Sequence, residues 1–141
     1  MANEATPVEL YGQNNSGDKR RFTCASGAAI AKGTLLVMTD PRTAVAHSAA
    51  TSYGLFAGIA AMDKEASDGS TTISVYTNGK FDLLANGGGA IAVGQNVKMS
   101  GQNCIAPITI ASDIISGMVL GTAMEAAAAG VSETIAVKVK L

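Results

Sequence analysis

From Arg21 onward the chain is a succession of short apolar runs cut by Gly, Asp-Pro and Asn-Gly. Runs of that length suit strands, and no segment sustains the three-and-four spacing of an amphipathic helix. The predicted strands are 21–24, 34–39, 54–62, 71–77, 80–85, 97–99, 105–110, 118–124 and 134–141. The last alternates cleanly, with Ile135, Val137, Val139 and Leu141 on one face and Ala136, Lys138 and Lys140 on the other. Asn78-Gly79 is a two-residue hairpin signal, because a type I′ turn needs positive φ at both central positions. It would pair Thr77 with Lys80 and Tyr76 with Phe81. Short helical turns are expected at Ser112–Ser116, capped by Ser112, and at Glu125–Ala129. Residues 1–20 are polar apart from Val8, Leu10 and Tyr11, contain Pro7, and offer no face for a core. They read as an extended, flexible N-terminal arm, with a single β domain over 21–141.

The chain also resembles itself. IAKGTLLVM from Ile30 and IAVGQNVKM from Ile91 lie 61 positions apart. Gly54, Gly58 and Ala60 recur as Gly117, Gly121 and Ala123 at an offset of 63, and Thr72–Val75 recurs as Thr134–Val137 at 62. Order and spacing are both kept, which is the signature of a duplicated unit. Glycines at matched places mark strand bends or close backbone approaches. The expectation is a mainly β fold, a small β-barrel or tulip-like domain with an internal pseudo-repeat, in which Gly58 and Gly121 occupy equivalent surroundings.

Composition narrows the function. The 141 residues are 48% hydrophobic but only 15% charged, against about a quarter charged in ordinary soluble domains. Net charge is −1, so there is no excess of cations to release counterions from nucleic acid. The longest uncharged apolar runs, 54–62 and 117–124, fall well short of the ~20 residues of a membrane-spanning helix. No signal-peptide core opens the sequence, so synthesis in a cytoplasm is expected. Cys24 and Cys104 lack zinc-site or redox spacing and read as buried free thiols, with a disulfide as the alternative.

Candidate chemistry is sparse. The single histidine, His47, lies in a run of small residues and reads as a surface position. Asp63, Glu65 and Asp68 do not match a calcium loop, and the segment 62–69 reads as a solvated connection. The glycine cluster 86–90 lacks the Lys-Ser/Thr that completes a phosphate loop. Lys19-Arg20-Arg21 could meet an acidic partner or simply face solvent. No metal constellation, cofactor motif or nucleophile–base pair is present, which argues against an enzyme.

The residues that do form a pattern are Phe22-Thr23-Cys24-Ala25, Ile30-Ala31-x-Gly33, Gly58-Ile59-Ala60, TTISVYTNGKFDL at 71–83, Gly117…Gly121-x-Ala123-x-Glu125 and Ile135-x-Val137-x-Val139. In this series the chain resembles the head decoration, or capsid cement, proteins of tailed bacteriophages. The resemblance spans residues 21–141. It implies a compact β domain forming homotrimers on the outside of the expanded head, at three-fold and quasi-three-fold positions. There the trimer would bridge subunits of the major capsid protein and hold the shell against internal DNA pressure.

In that class an N-terminal arm commonly orders on the capsid by adding a strand, and by analogy the capsid-binding residues here are Val8, Glu9, Leu10, Tyr11, Lys19, Arg20 and Arg21. In an extended chain Val8 and Leu10 share one face, with Glu9 and Tyr11 opposite. The competing reading is a small β-barrel module for a carbohydrate or other ligand, which would need a concave pocket containing Tyr11 or Tyr53.

Overall fold

The computed structural model describes residues 3–11, 19–47, 55–86, 89–100, 103–108 and 119–140. Its strands are β1 (Thr6–Glu9), β2 (Lys19–Thr23), β3 (Leu35–Asp40), β4 (Thr43–Ala46), β5 (Leu55–Ala60), β6 (Thr72–Tyr76), β7 (Asn78–Asn86), β8 (Asn96–Met99), β9 (Cys104–Pro107), β10 (Val119–Ala123) and β11 (Ser132–Lys140). Among the described residues there is no helix. The Ser112–Ser116 turn lies outside them. The expected helical turn at Glu125–Ala129 is instead a bend, an isolated bridge at Ala127 and a turn, because Ala127 exchanges two backbone hydrogen bonds with Ile91.

The strands close into two small barrels. In the first, the order β2-β4-β3-β5-β6 closes where β2 meets β4 in parallel at Thr23 and Thr43. In the second, β7, β11, β10, β8 and β9 follow one another around the wall, and β7 meets β9 in parallel at Leu84 and Cys104. The two are copies of one unit. Leu35, Leu36 and Val37 pair with Ile59, Gly58 and Phe56, as Asn96, Val97 and Lys98 pair with Thr122, Gly121 and Val119. Each ladder skips one residue at the same place, Ala57 in β5 and Leu120 in β10, which makes a β-bulge. The bridge between Ile30 and Lys64 recurs between Ile91 and Ala127. Arg42 and Asn103, 61 positions apart, both adopt positive φ in the turn before the strand that follows.

Gly58 and Gly121 do occupy equivalent surroundings. A Cβ at Gly58 would collide with the Tyr76 carbonyl and the Val75 side chain; one at Gly121 would collide with the Lys138 carbonyl. Tyr76 and Lys138 are themselves equivalent positions on β6 and β11. Both glycines therefore exist because the neighbouring backbone comes too close for any side chain.

The core follows from this duplication. Cys24, Ile30, Leu36, Ala44, Ala57, Ala60, Ile73 and Val75 fill the first barrel. Their equivalents Ala85, Ile91, Val97, Ile105, Leu120, Ala123, Ile135 and Val137 fill the second. The second cluster does not stop there. It continues onto the outer face of the first barrel through Leu35, Val37, Phe56, Ile59 and Tyr76, so one core joins the two barrels.

Two sequence expectations fail for physical reasons. Asn78-Gly79 is not a hairpin turn. Both residues belong to β7, opposite Lys140 and Val139, and the chain crosses from one barrel to the other at Thr77. Gly79, at φ 132°, is required because the Glu9 carbonyl of β1 would stand 3.0 Å from its Cβ. Tyr76 and Phe81 do touch, with ring centroids 5.7 Å apart, but across the barrel junction and not as a cross-strand pair.

Residues 5–9 are also not a coreless arm. β1 pairs antiparallel with β7, Ala5 is buried, and its N–H donates to the Gly33 carbonyl at 2.7 Å. Folded β structure further begins at Lys19, two residues before the expected domain boundary.

Candidate functional site

Of the seven residues singled out on the sequence, Val8 and Glu9 lie on β1, Leu10 and Tyr11 directly follow it, and the other three lie on β2. β1 runs along one edge of β7, with Thr6 opposite Asp82, Pro7 opposite Phe81 and Glu9 opposite Lys80. The parallel strand β9 takes the same edge further along, at Leu84 and Ala85. Val8 is skipped in the ladder and is the extra residue of a bulge. That breaks the expected alternation. Val8 is 55% exposed, whereas Leu10 packs against the core. Glu9 reaches Lys80, Oε2 to Nζ 2.8 Å, and this hydrogen-bonded contact raises the Lys80 ammonium above its ordinary range. Tyr11 is half-buried at the end of the strand.

Lys19, Arg20 and Arg21 lie on β2 in the first barrel, all exposed. The Lys19 ammonium sits over the Tyr76 ring, 5.7 Å from its centroid. β2 pairs with β6 along its whole length, from Lys19 opposite Tyr76 to Thr23 opposite Thr72. On its other side, among the described residues, Thr23 alone is paired, with Thr43. The basic triplet is exposed, and the matching stretch of β7 is paired with β1.

The loops that close one end of each barrel differ more. In the first, the Lys64 side chain is 1% exposed. Its ammonium donates to the carbonyls of Ser26 (3.0 Å), Ala28 (2.9 Å) and Glu65 (3.3 Å), and Asp68 lies 3.5 Å away. A hydrogen bond from the Ser70 N–H, helped by that of Glu65 and by the Lys64 charge, holds the Asp68 carboxyl below its usual value. Lys64 therefore ties its own loop to the segment Ser26–Ala28 and is not solvated, although Asp63, Glu65 and Asp68 are exposed as expected. An open depression of about 420 Å³ lies beside it, lined by Ala29, Ile30, Ala31, Asp63, Lys64, Glu65 and Ala66. In the second barrel Ala127 replaces Lys64, and Val93, Met124 and Val131 are exposed around it.

His47 is not a surface residue. It is 3% exposed, and its N–H donates to the Leu35 carbonyl at 2.9 Å. Nothing in its flanking run announced this, because the strand before it, β4, follows a Pro-Arg turn and carries only Val45 as a large apolar residue. Cys24 is buried and Cys104 half-buried; both are free thiols, and burial raises the Cys104 thiol. Among the described residues no group of three or more His, Cys, Asp or Glu side chains is placed to hold a metal. A second open depression of about 400 Å³ is lined by Pro7, Val8, Glu9 and Leu10. Neither depression contains an aromatic side chain or His47. Tyr53 lies outside the described residues.

Comparison with known proteins fits a fold of exposed edges and structural polar groups. No curated protein matches the chain. Among solved structures, the N base of the head fiber protein of bacteriophage phi29 aligns with a TM-score of 0.48 and 20% identity, over 88% of this chain and 97% of that one. The family model for phage cement proteins matches residues 14–141, nearly the whole chain. The protein belongs to the phage cement protein family and is a structural component of the phage capsid.

Proposed function

We propose that the protein is a trimeric cement on the outer surface of the expanded head, bridging subunits of the major capsid protein and stabilising the shell against the pressure of packaged DNA. The family match carries this reading. Any protein that binds only the expanded shell stabilises it by mass action. Trimerisation would raise the effective concentration of each weak contact. The low charge content supports shared surfaces, because a domain so poor in charge gains from covering its exterior. Synthesis takes place in the host cytoplasm, before the protein joins the virion.

The capsid contact is assigned to Val8, Glu9, Leu10 and Tyr11 together with Lys19, Arg20 and Arg21. β1 is folded onto the second barrel, so removing residues 2–20 would cut into both barrels and is not a clean test. The double substitution Val8→Asp with Arg20→Glu leaves every strand in place. It should abolish co-sedimentation with expanded heads lacking the protein, while sedimentation equilibrium still reports about three times the 14.1 kDa chain mass. Normal decoration by this variant would remove both strands from the contact, and a monomer at working concentrations would remove the trimer.

A further inference from the structure

One end of the second barrel has lost the charges that its copy keeps. The closing loops correspond through their hydrogen bonds. Gly33 N–H donates to Ala60 as Gly94 N–H donates to Ala123, and Ile30 bridges Lys64 as Ile91 bridges Ala127. These anchors place Val93 where the first barrel has Lys32, and Ala126, Ala127 and Ala128 where it has Asp63, Lys64 and Glu65. Each charge in that set has an apolar counterpart. Two carboxylates remain on the second loop, and both are turned onto nearby backbone. Glu125 accepts from the Ala136 N–H and Glu133 from the Ala128 N–H, each at 3.0 Å.

The end is also bare. In the first barrel the N-terminal segment lies over Gly33: Ala5 N–H donates to its carbonyl at 2.7 Å, and a Cβ at Gly33 would collide with Ala5. A Cβ at Gly94 would meet nothing within 4 Å. On the loops around the Ile91–Ala127 bridge, Val93 is 67% exposed, Val131 48% and Met124 43%. Large apolar side chains left together in water mark a contact surface.

Position and charge point to what covers it. Glu9 and Lys19, among the residues assigned to the shell, lie at the Lys80 end of β7, Glu9 opposite Lys80 and Lys19 over Tyr76. The loop 124–131 runs into Ser132, which faces Asn86 at the other end of β7. At about 3.3 Å per residue, that is roughly 20 Å along the strand. Around a rotation axis, moreover, a side chain faces copies of itself. A free charge there meets its like, whereas an uncharged end meets no such penalty.

We propose that Val93, Met124 and Val131, at the loop end of the second barrel, form the surface through which copies of this chain meet one another. That the copies number three rests on the trimeric reading above. The equivalent end of the first barrel, with Lys32, Asp63 and Glu65 exposed, stays in solvent.

Sedimentation equilibrium of the full-length chain tests this. Wild type should sediment at about three times the 14.1 kDa chain mass. Val93→Glu with Val131→Glu should weaken self-association at least a hundredfold, because carboxylates would be buried beside their own copies. Raising the salt to about 1 M should restore part of it. Met124→Glu alone should weaken it by about tenfold. All three positions are exposed, so amide protection at Ile91 and Ala127 should match wild type and report an intact fold. Lys32→Glu, at the place of Val93 on the first barrel, should associate like wild type; an equal loss there would overturn the surface. Variants that remain as large as wild type overturn it too, and if they also fail to co-sediment with expanded heads, the end belongs to the shell. A monomeric wild type overturns the trimeric reading and the surface together. A wild-type dimer undone by the same substitutions overturns only the number three and supports the surface.

Discussion

The two barrels share a pairing scheme residue for residue and differ almost everywhere that scheme does not reach. Inside, apolar answers apolar: Leu36 and Val97, Ile73 and Ile135, Val75 and Val137. Outside, the same positions diverge. Leu35, Val37, Phe56, Ile59 and Tyr76 are buried on the first barrel, whereas Asn96, Lys98, Val119, Thr122 and Lys138 on the second are half-buried or exposed. The lesson is that the unit is specified by its interior and two glycines, and that its exterior was free to specialise. One copy turned its outer face into the seam between barrels, while the other kept that face toward solvent.

The sharpest way to break this comparison is to truncate equivalent outer positions. Phe56→Ala should cost about 3–5 kcal/mol in urea denaturation, the price of a cavity in the seam. Val119→Ala, at the same place on β10, should cost about 1 kcal/mol. Equal effects would mean that the seam is not where the shared core lies. The glycines come next. Gly58→Ala and Gly121→Ala should each destabilise by about 2–3 kcal/mol, because at both positions a methyl group meets a backbone carbonyl that cannot swing aside. A large loss at only one of them would show that the copies tolerate strain differently.

Lys64→Met should cost about 2 kcal/mol, since three loop carbonyls lose a charged donor at once. Amide exchange should quicken at Ile30 and not at its counterpart Ile91. The smallest effect is at β1. Lys80 stands above its ordinary value of 10.5 in the folded protein, so the Glu9 contact favours folding fully below that value and fades as pH rises through the raised one. Thermal midpoints of wild type and Glu9→Gln should therefore differ slightly at neutral pH and converge in strong alkali.

Much of this was legible in the sequence. The repeat at offsets of 61 to 63 located the equivalent strands, and the alternation Ile135, Val137, Val139 gave the buried face of β11. The hairpin at Asn78-Gly79 misled because glycine answers two different demands, a turn and a close neighbour, and only the path of β1 separates them. β1 and β4 were missed since TPVE and TAVA carry one large apolar residue each; their pairing is imposed by β7 and β3, not by their own pattern. Lys64 and His47 looked solvated because burial of a polar side chain depends on partners distant in sequence, here the carbonyls of Ser26 and Ala28 for the lysine. For the candidate site, the basic triplet was visible, but its match to a stretch of β7 appears only when β2 is laid beside β7.

The crossing at Thr77 sets an order of events during synthesis. When the ribosome has made β2 through β6, every strand of the first barrel exists, yet its outward Leu35, Val37, Phe56 and Tyr76 have nothing to lie against. β7 follows at once, but its nine-residue ladder waits for β11, which is made after β8, β9 and β10. Until then the nascent chain carries a sticky apolar flank and an unzipped β7, and β1 cannot find its settled edge. A ribosome stalled before Ser132 should thus present a chaperone substrate, and release of β11 should convert it into a finished fold in one step.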